Sequence, residues 1–362
     1  MVRRQYLNKL IEFRDKPIIK TIVGIRRCGK STLLMMYKDY LIESGVHEDD
    51  ILMMNLSHMQ DDVRTARDII NMVSEHKRRM YILLDEIQNL AGWDRMVLEM
   101  LETLDCDIYI TGSNSVMFSS KLTTLLSGRA IGIEMFPFSY AEFLEFTTAP
   151  DSDESLMEYM TFGGFPLSLM LRGSKSAQNT VVEDIYNTVV LKDIVLRQGF
   201  KNNQLLDRMC RFLMRSIGSP LSVKSIKHYL SSAGVKTTSE TVDTYLSYLE
   251  ESLTFYRAKR FNIKAKEELV FNDKFYVVDP GLRTAVLGHR GADTGHILEN
   301  LVYLQLRRDG YKVYVGKMDN LEIDFVAINS DRTLYVQVCY SLRDPVTEER
   351  EVRPLRKIRD NH

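Results

Sequence analysis

Cysteine is scarce: Cys28, Cys106, Cys210 and Cys339 are the only four in 362 residues. They lie far apart and form no CxxC pair, so neither a zinc site nor a disulfide framework is suggested. Isolated thiols suit a reducing compartment. No apolar run approaches the roughly 20 residues that span a bilayer. The opening MVRRQYLNKLIEFRDKP lacks the apolar stretch of a secretory signal. The expectation is a cytoplasmic protein with no membrane partner. An excess of one charge is also missing, since 48 basic residues face 49 acidic ones for a net charge of −1. No global field announces a polyanion, so any basic surface must be local. What is present is ordinary for a folded chain, 44% hydrophobic and 27% charged, and long enough for two or three domains.

The stretch IIKTIVGIRRCGKSTLL, residues 18–34, runs from β-rich apolar residues through a glycine-bounded turn into a helical pattern. Gly24-Ile25-Arg26-Arg27-Cys28-Gly29-Lys30-Ser31 fits GxxxxGK[ST] in full, in a strand–turn–helix context. Glycines let the backbone curl so that N–H groups face phosphate oxygens, and the following helix adds its positive end. Gly24 through Thr32 is therefore the candidate ATP-binding segment. Lys30 is expected to reach the β- and γ-phosphates, and the Ser31 hydroxyl to ligate Mg²⁺.

A second element, MYILLDEIQNL (residues 80–90), reads as a buried strand ending in an acidic pair. Active groups of open α/β sheets cluster at such strand ends. Asp85 is expected to hold Mg²⁺ through water and Glu86 to polarise the attacking water. A third strand, CDIYITGSNS (106–115), ends in polar residues that can sense a γ-phosphate. Arg129 precedes another strand, Ala130–Met135. It reads either as an arginine finger for the transferred phosphoryl group or as a surface salt-bridge residue.

Taken in order, VGIRRCGKSTLL, YILLDEIQNL, YITGSNS and LSGRAIGIEMFPFSYAEFL resemble the AAA+ ATPase superfamily. The narrower resemblance is to prokaryotic AAA ATPases with a C-terminal domain of unknown function. It implies a five-stranded core, Asp85 and Glu86 as the hydrolytic pair, Ser113 or Asn114 as sensor 1, and Arg129 as the finger. Spacing alone does not separate Ser113 from Asn114.

Residues 147–155, TTAPDSDES, read as a surface connection. Helical periodicity runs on from 177 to 215, as in the small lid of AAA+ proteins, and Lys192-Asp193 within it reads as a solvated helix face. In 203–285, Ser222 is positioned to cap one helix and Thr237/Thr238 to start the next, and a β-hairpin comes after them, the layout of a winged helix-turn-helix. Lys236, Thr237, Thr238, Ser239 and Glu240 would head its recognition helix. Arg257, Lys259, Arg260, Lys264 and Lys266 are the candidates for phosphate contact. Glu240, Asp243, Glu250 and Glu251 argue against it, so DNA contact and protein docking both stay open.

Residues 290–362 resemble the restriction-endonuclease fold, with Glu299 on a helix and Asp324 on a strand. The resemblance implies an acid and a lysine on the next strand, where this chain has Gln337 and Cys339. An amide is a weak ligand for a hard cation, and a thiol supplies no positive charge, so nuclease activity is not expected. The unit is also expected to stop short of the final strand and helix of such a fold.

The expected chain is thus α/β: an AAA+ P-loop parallel sheet (1–148), a helical lid (149–202), a winged helix (203–288) and a degenerate nuclease-like α/β domain, truncated at its end (289–362). The expected function is that of an ATP-hydrolysing, Mg²⁺-dependent switch that couples nucleotide state to a nucleic-acid or protein partner, in a homo-oligomer if Arg129 acts in trans. The alternative is an adaptor that holds ATP or ADP as a structural ligand. A small-molecule P-loop kinase would leave Glu86, Arg129 and the C-terminal half without a purpose.

Overall fold

The computed structural model describes residues 3–57, 65–113, 126, 128–188, 203–288 and 294–358. It divides into two compact units, Met1–Phe136 and Pro137–His362.

The first unit is built on strands β1 (Ile19–Val23), β2 (Ile51–Asn55), β3 (Met80–Asp85), β4 (Cys106–Gly112) and β5 (Ala130–Glu134). They form one parallel sheet in the order β2-β3-β4-β1-β5. Every residue of β1, β3 and β4 is buried. Continuous apolar runs of this kind belong to strands covered on both faces. Helices α1 (Arg4–Glu12), α2 (Lys30–Glu43), α3 (Ala66–Ser74) and α4 (Trp93–Thr103) connect or flank the strands. Thr65 and Asp68 close a capping box that fixes the start of α3. The register brings the carboxyl ends of the strands to one edge: Val23 is level with Gly112 and Glu134, and Asn55 with Asp85. Strand β4 lies between β1 and β3, as expected for a strand that reports from between the phosphate turn and the acidic pair.

The second unit opens with helices α5 (Tyr140–Thr147), α6 (Asp153–Phe162), α7 (Pro166–Met170) and α8 (Lys175–Ile185). Three more helices come after them: α9 (Asn203–Arg215), α10 (Val223–Ser232) and α11 (Ser239–Glu251). Ser222 and Thr238 cap α10 and α11 through their hydroxyls. The hairpin is present as β6 (Phe255–Asn262) and β7 (Glu267–Val277). Then come α12 (Pro280–Leu287), α13 (Thr294–Arg308), β8 (Lys312–Met318), β9 (Leu321–Ile328), β10 (Thr333–Val336) and α14 (Pro345–Arg356).

The first compact unit runs to 136, and in the second α5 packs Phe143 against Phe138, Tyr159 and Leu169. The expected lid helices do not stand apart from the C-terminal elements, since α12 packs on α6, α8 and α9. No division falls at 288 either: β6 pairs in parallel with β8, so hairpin and C-terminal strands share one sheet in the order β10-β9-β8-β6-β7. A parallel partner some 50 residues downstream leaves no local mark in the sequence. Helix α14 packs on β9.

The FGGFP turn explains part of this joining. The Gly164 N–H donates to Asp279 Oδ2 at 2.7 Å, and the Gly281 N–H donates to Oδ1 at 2.8 Å. A Cβ at Gly163 would lie 1.8 Å from Asp279 Oδ1, and one at Gly164 would lie 2.2 Å from the Phe138 carbonyl oxygen. Only glycine permits this approach.

Candidate functional site

The phosphate turn connects β1 to α2. Gly24 is packed against β5's exit: a Cβ there would meet the Met135 carbonyl oxygen at 2.1 Å. Arg27 (φ 65°) and Gly29 (φ 105°) take left-handed conformations that curl the loop. The Arg3 guanidinium, itself buried, donates to the Cys28 carbonyl at 2.9 Å and lies over the Tyr6 ring. Burial raises the pKa of Cys28, so its thiol stays neutral and packs as an apolar group. Arg26 is half-buried, whereas Arg27, Ser31 and Thr32 differ: Arg27 and Ser31 are exposed and Thr32 is exposed beside them.

Lys30 opens α2 and turns back over the loop. Its ammonium donates to the carbonyls of Gly24 (2.9 Å) and Ile25 (3.2 Å) and lies 3.8 Å from Glu86 Oε1. Ser31 Oγ donates to Asp85 Oδ2 at 2.6 Å. Asp85, buried at the end of β3, also accepts from Thr111 Oγ1 at 2.5 Å and from Asn55 Nδ2 at 3.2 Å. Three strand ends and one helix start thereby converge on a single carboxylate.

Glu86 comes next in a left-handed conformation (φ 54°, ψ 49°), a strained state for a residue with a side chain. Its N–H donates to Thr111 Oγ1 at 2.9 Å, which holds the peptide in that state. Its carboxylate is bonded by Gln88 Nε2 and the Ser113 hydroxyl. Burial pushes its pKa up, but Lys30, then Gln88, Arg26 and Ser113, carry it below the ordinary carboxylate value. Glu86 is therefore an anion at neutral pH.

Of the sequence-expected residues, Gly24 to Thr32, Asp85, Glu86 and Ser113 meet at this edge. Ser113 touches Glu86; Asn114 lies outside the described residues. Arg129 does not join them. Its carbonyl accepts from the Ile19 N–H at 2.8 Å, at the start of β1, so a strand's length of about 16 Å separates it from the turn. It is partly exposed and pairs with Glu102. Sequence reasoning missed Asn55, Thr111 and Arg3. Asn55 and Thr111 are polar residues at the ends of apolar strands, but only the strand order brings them to Asp85.

The donors fit Mg²⁺. The ion takes hard oxygens, keeps several waters and relies on one or two carboxylates plus substrate phosphates. One serine hydroxyl and one carboxylate at a phosphate turn match that demand. Among the described residues no group of three or more His, Cys, Asp or Glu is placed to cage a metal.

The basic residues of the hairpin are largely taken. Arg257 pairs with Glu250, Lys259 with Glu268, buried Arg260 with Glu322, and Lys264 with Asp319. Among the described residues no helix is long and apolar enough to cross a membrane.

An AAA-domain family model matches residues 16–144, and a model for a domain of unknown function (DUF8612) matches residues 153–293. An uncharacterised protein of Haemophilus influenzae is 37% identical, over 99% of this chain and 91% of its own length. An uncharacterised protein of Methanocaldococcus jannaschii is 27% identical, over 98% of this chain and 82% of its own. Among solved structures, AMPPCP-bound DnaA from Aquifex aeolicus aligns with a TM-score of 0.35 and 14% identity, over 68% of this chain and 86% of that one. With the phosphate turn, the acidic strand end and the strand between them in place, and a relative matched along nearly its whole length, this chain belongs to the AAA+ ATPases that carry a C-terminal domain of unknown function.

Proposed function

We propose that this chain is a Mg²⁺-dependent ATPase that uses its nucleotide cycle to switch the second unit between partner-bound and free states. The observation that carries the reading is the convergence of Ser31, Asp85, Thr111 and Glu86 at one sheet edge. Mg²⁺, when bound, would screen the phosphate charge and orient the γ-phosphoryl group. Ser31 and Asp85 would hold it. Lys30 would exchange two loop carbonyls for phosphate oxygens. Charged Glu86 accepts the proton of the attacking water, and Ser113 keeps that carboxylate aimed. Asn55 and Thr111 hold Asp85 in place.

Arg129 serves a neighbouring copy in this reading, since its own phosphate turn is out of reach. For the partner, protein docking is favoured over DNA. The hairpin cations already face carboxylates of the same chain, and a phosphate backbone would have to compete with those pairs.

The test is ATP binding and phosphate release by the full chain. Lys30→Ala should lose ATP binding. Glu86→Gln should bind ATP as the parent does and release phosphate about 10²–10⁴-fold more slowly. Parent turnover that is undetectable in Mg²⁺ with ATP still bound would favour the adaptor instead. Parent-like hydrolysis by both variants would place the chemistry elsewhere.

A further inference from the structure

The C-terminal sheet holds a second charged cluster, and it is closed around a residue of its own. Lys274 on β7 is buried. Its ammonium lies 3.0 Å from Glu299 Oε1, 3.1 Å from Glu322 Oε1 and 3.9 Å from Asp324 Oδ1. Helix α13 supplies Glu299 and strand β9 supplies the other two. The Tyr276 hydroxyl donates to Glu299 at 2.7 Å, Arg260 to the second oxygen of Glu322 at 2.8 Å, and the Val338 N–H to the second oxygen of Asp324 at 2.8 Å. Gly218 lies over Glu299, close enough that a Cβ there would sit 3.0 Å from Oε2.

Three carboxylates are the chemical type of donor that a divalent cation takes, although these three are not placed to cage one. We infer that Lys274 is the resident cation of this pocket, so that the second unit takes up no divalent metal at Glu299, Glu322 and Asp324. Glu299 and Glu322 lie at ammonium–carboxylate hydrogen-bonding distance and Asp324 at ion-pair distance, all well beyond the 2.0–2.6 Å of Mg²⁺ or Ca²⁺ to oxygen. The charges nearly balance as well, with three acids facing Lys274 and Arg260. A divalent ion would have to displace a buried ammonium and leave it without its carboxylates. Burial works against the charge on Lys274, but Glu299, Glu322 and Asp324 outweigh it and raise its pKa above the ordinary lysine value.

The positions at which the nuclease resemblance looks for an acid and a lysine play no part at the centre. Gln337 accepts from the Asp324 N–H and donates to Glu351, and Cys339 is half-exposed. The lysine is present but comes from a different strand. The chemical consequence is that these three acids hold no metal with which to cut a phosphodiester, so this cluster can face a partner without cleaving it.

The test uses the full chain without nucleotide and Mn²⁺ as the probe, counted by equilibrium dialysis. The parent and Glu299→Gln should bind equal numbers of Mn²⁺ ions. Lys274→Met should bind one more per chain and gain thermal stability from Mn²⁺, and adding Glu299→Gln should remove both effects. Loss of a Mn²⁺ site from the parent on Glu299→Gln, or a folded Lys274→Met that gains none, would overturn the inference. Should Lys274→Met not fold even with Mn²⁺, acetylation footprinting of the parent decides: Lys274 should stay protected with and without Mn²⁺, and Mn²⁺-dependent labelling would show that metal displaces it.

Discussion

Ser31 and Asp85, 54 residues apart, are joined by a 2.6 Å hydrogen bond from hydroxyl to carboxylate. The bond holds a helix start against a strand end and leaves two hard oxygens side by side, the proposed Mg²⁺ ligands. Ser31→Ala should therefore weaken Mg²⁺–ATP binding by roughly 10- to 100-fold, the ~1.5–3 kcal/mol of a hydrogen bond to a charged group. It should change ATP binding in EDTA far less. Calorimetry in the two buffers measures the difference, and equal losses in both would mean that Ser31 does not serve the metal.

Arg129 sits at the amino end of its strand, with Ala130 level with Ile19, while the phosphate turn leaves the far end of β1 after Val23. The proposed finger role therefore requires another copy. Arg129→Ala should lower turnover about 10³-fold or more while leaving ATP affinity unchanged. Mixing it with Glu86→Gln, which retains the arginine, should restore activity that neither variant shows alone. Phosphate release by the parent should also rise more steeply than linearly with protein concentration. A mixture as inactive as its components would remove the finger.

The phosphate turn and the acidic strand end were legible because each packs its chemistry into consecutive residues. Gly24 to Ser31 must be contiguous for a loop to curl around phosphate, and Asp85-Glu86 must come directly after an apolar run. Asn55 and Thr111 escaped because only the strand order places them beside Asp85. Lys274 escaped for the same reason on a larger scale. Its acids come from a helix and a strand that join its sheet through the parallel β6–β8 pair. The hairpin cations are legible as hairpin residues, but their carboxylate partners lie on other elements or across the pair and are invisible one segment at a time.

Asp279 is fully buried, and burial raises its pKa to about 6 despite the N–H donors of Gly164 and Gly281. The sign comes from linkage. A carboxyl whose folded pKa lies above its unfolded value stabilises the fold at low pH, and that contribution is lost as pH rises from the unfolded value through about 6. The span from 3.8 to about 6 corresponds to ~3 kcal/mol. Asp279→Asn cannot titrate, so urea melts from pH 4 to 7 should show the parent losing stability relative to the variant by about that amount. A constant difference across this range would mean that Asp279 ionises in the fold as it does in the unfolded chain. Gly164→Ala should cost at least about 1–3 kcal/mol at any pH, because its Cβ meets the Phe138 carbonyl rather than the titrating group.

Lys20 and Asp107 form an ion pair on adjacent strands, with both side chains wholly removed from water. Lys20 also donates to the Lys16 carbonyl at 2.9 Å, and Asp107 accepts from Tyr109 and the Asp15 N–H, each at 2.8 Å. The pair lies at the amino-terminal part of the sheet, away from the phosphate turn, so it bears on stability and not on chemistry. Removing one partner strands a buried charge. Lys20→Met should therefore destabilise the protein by about 3–5 kcal/mol, whereas replacing both residues, as in Lys20→Met with Asp107→Leu, should recover most of that loss. The recovery will be incomplete, because Tyr109 and the Asp15 N–H then lose their acceptor. Chemical denaturation of these two variants and of Asp107→Leu decides: additive losses would mean that the two charges do not depend on each other, against the geometry that brings them into contact.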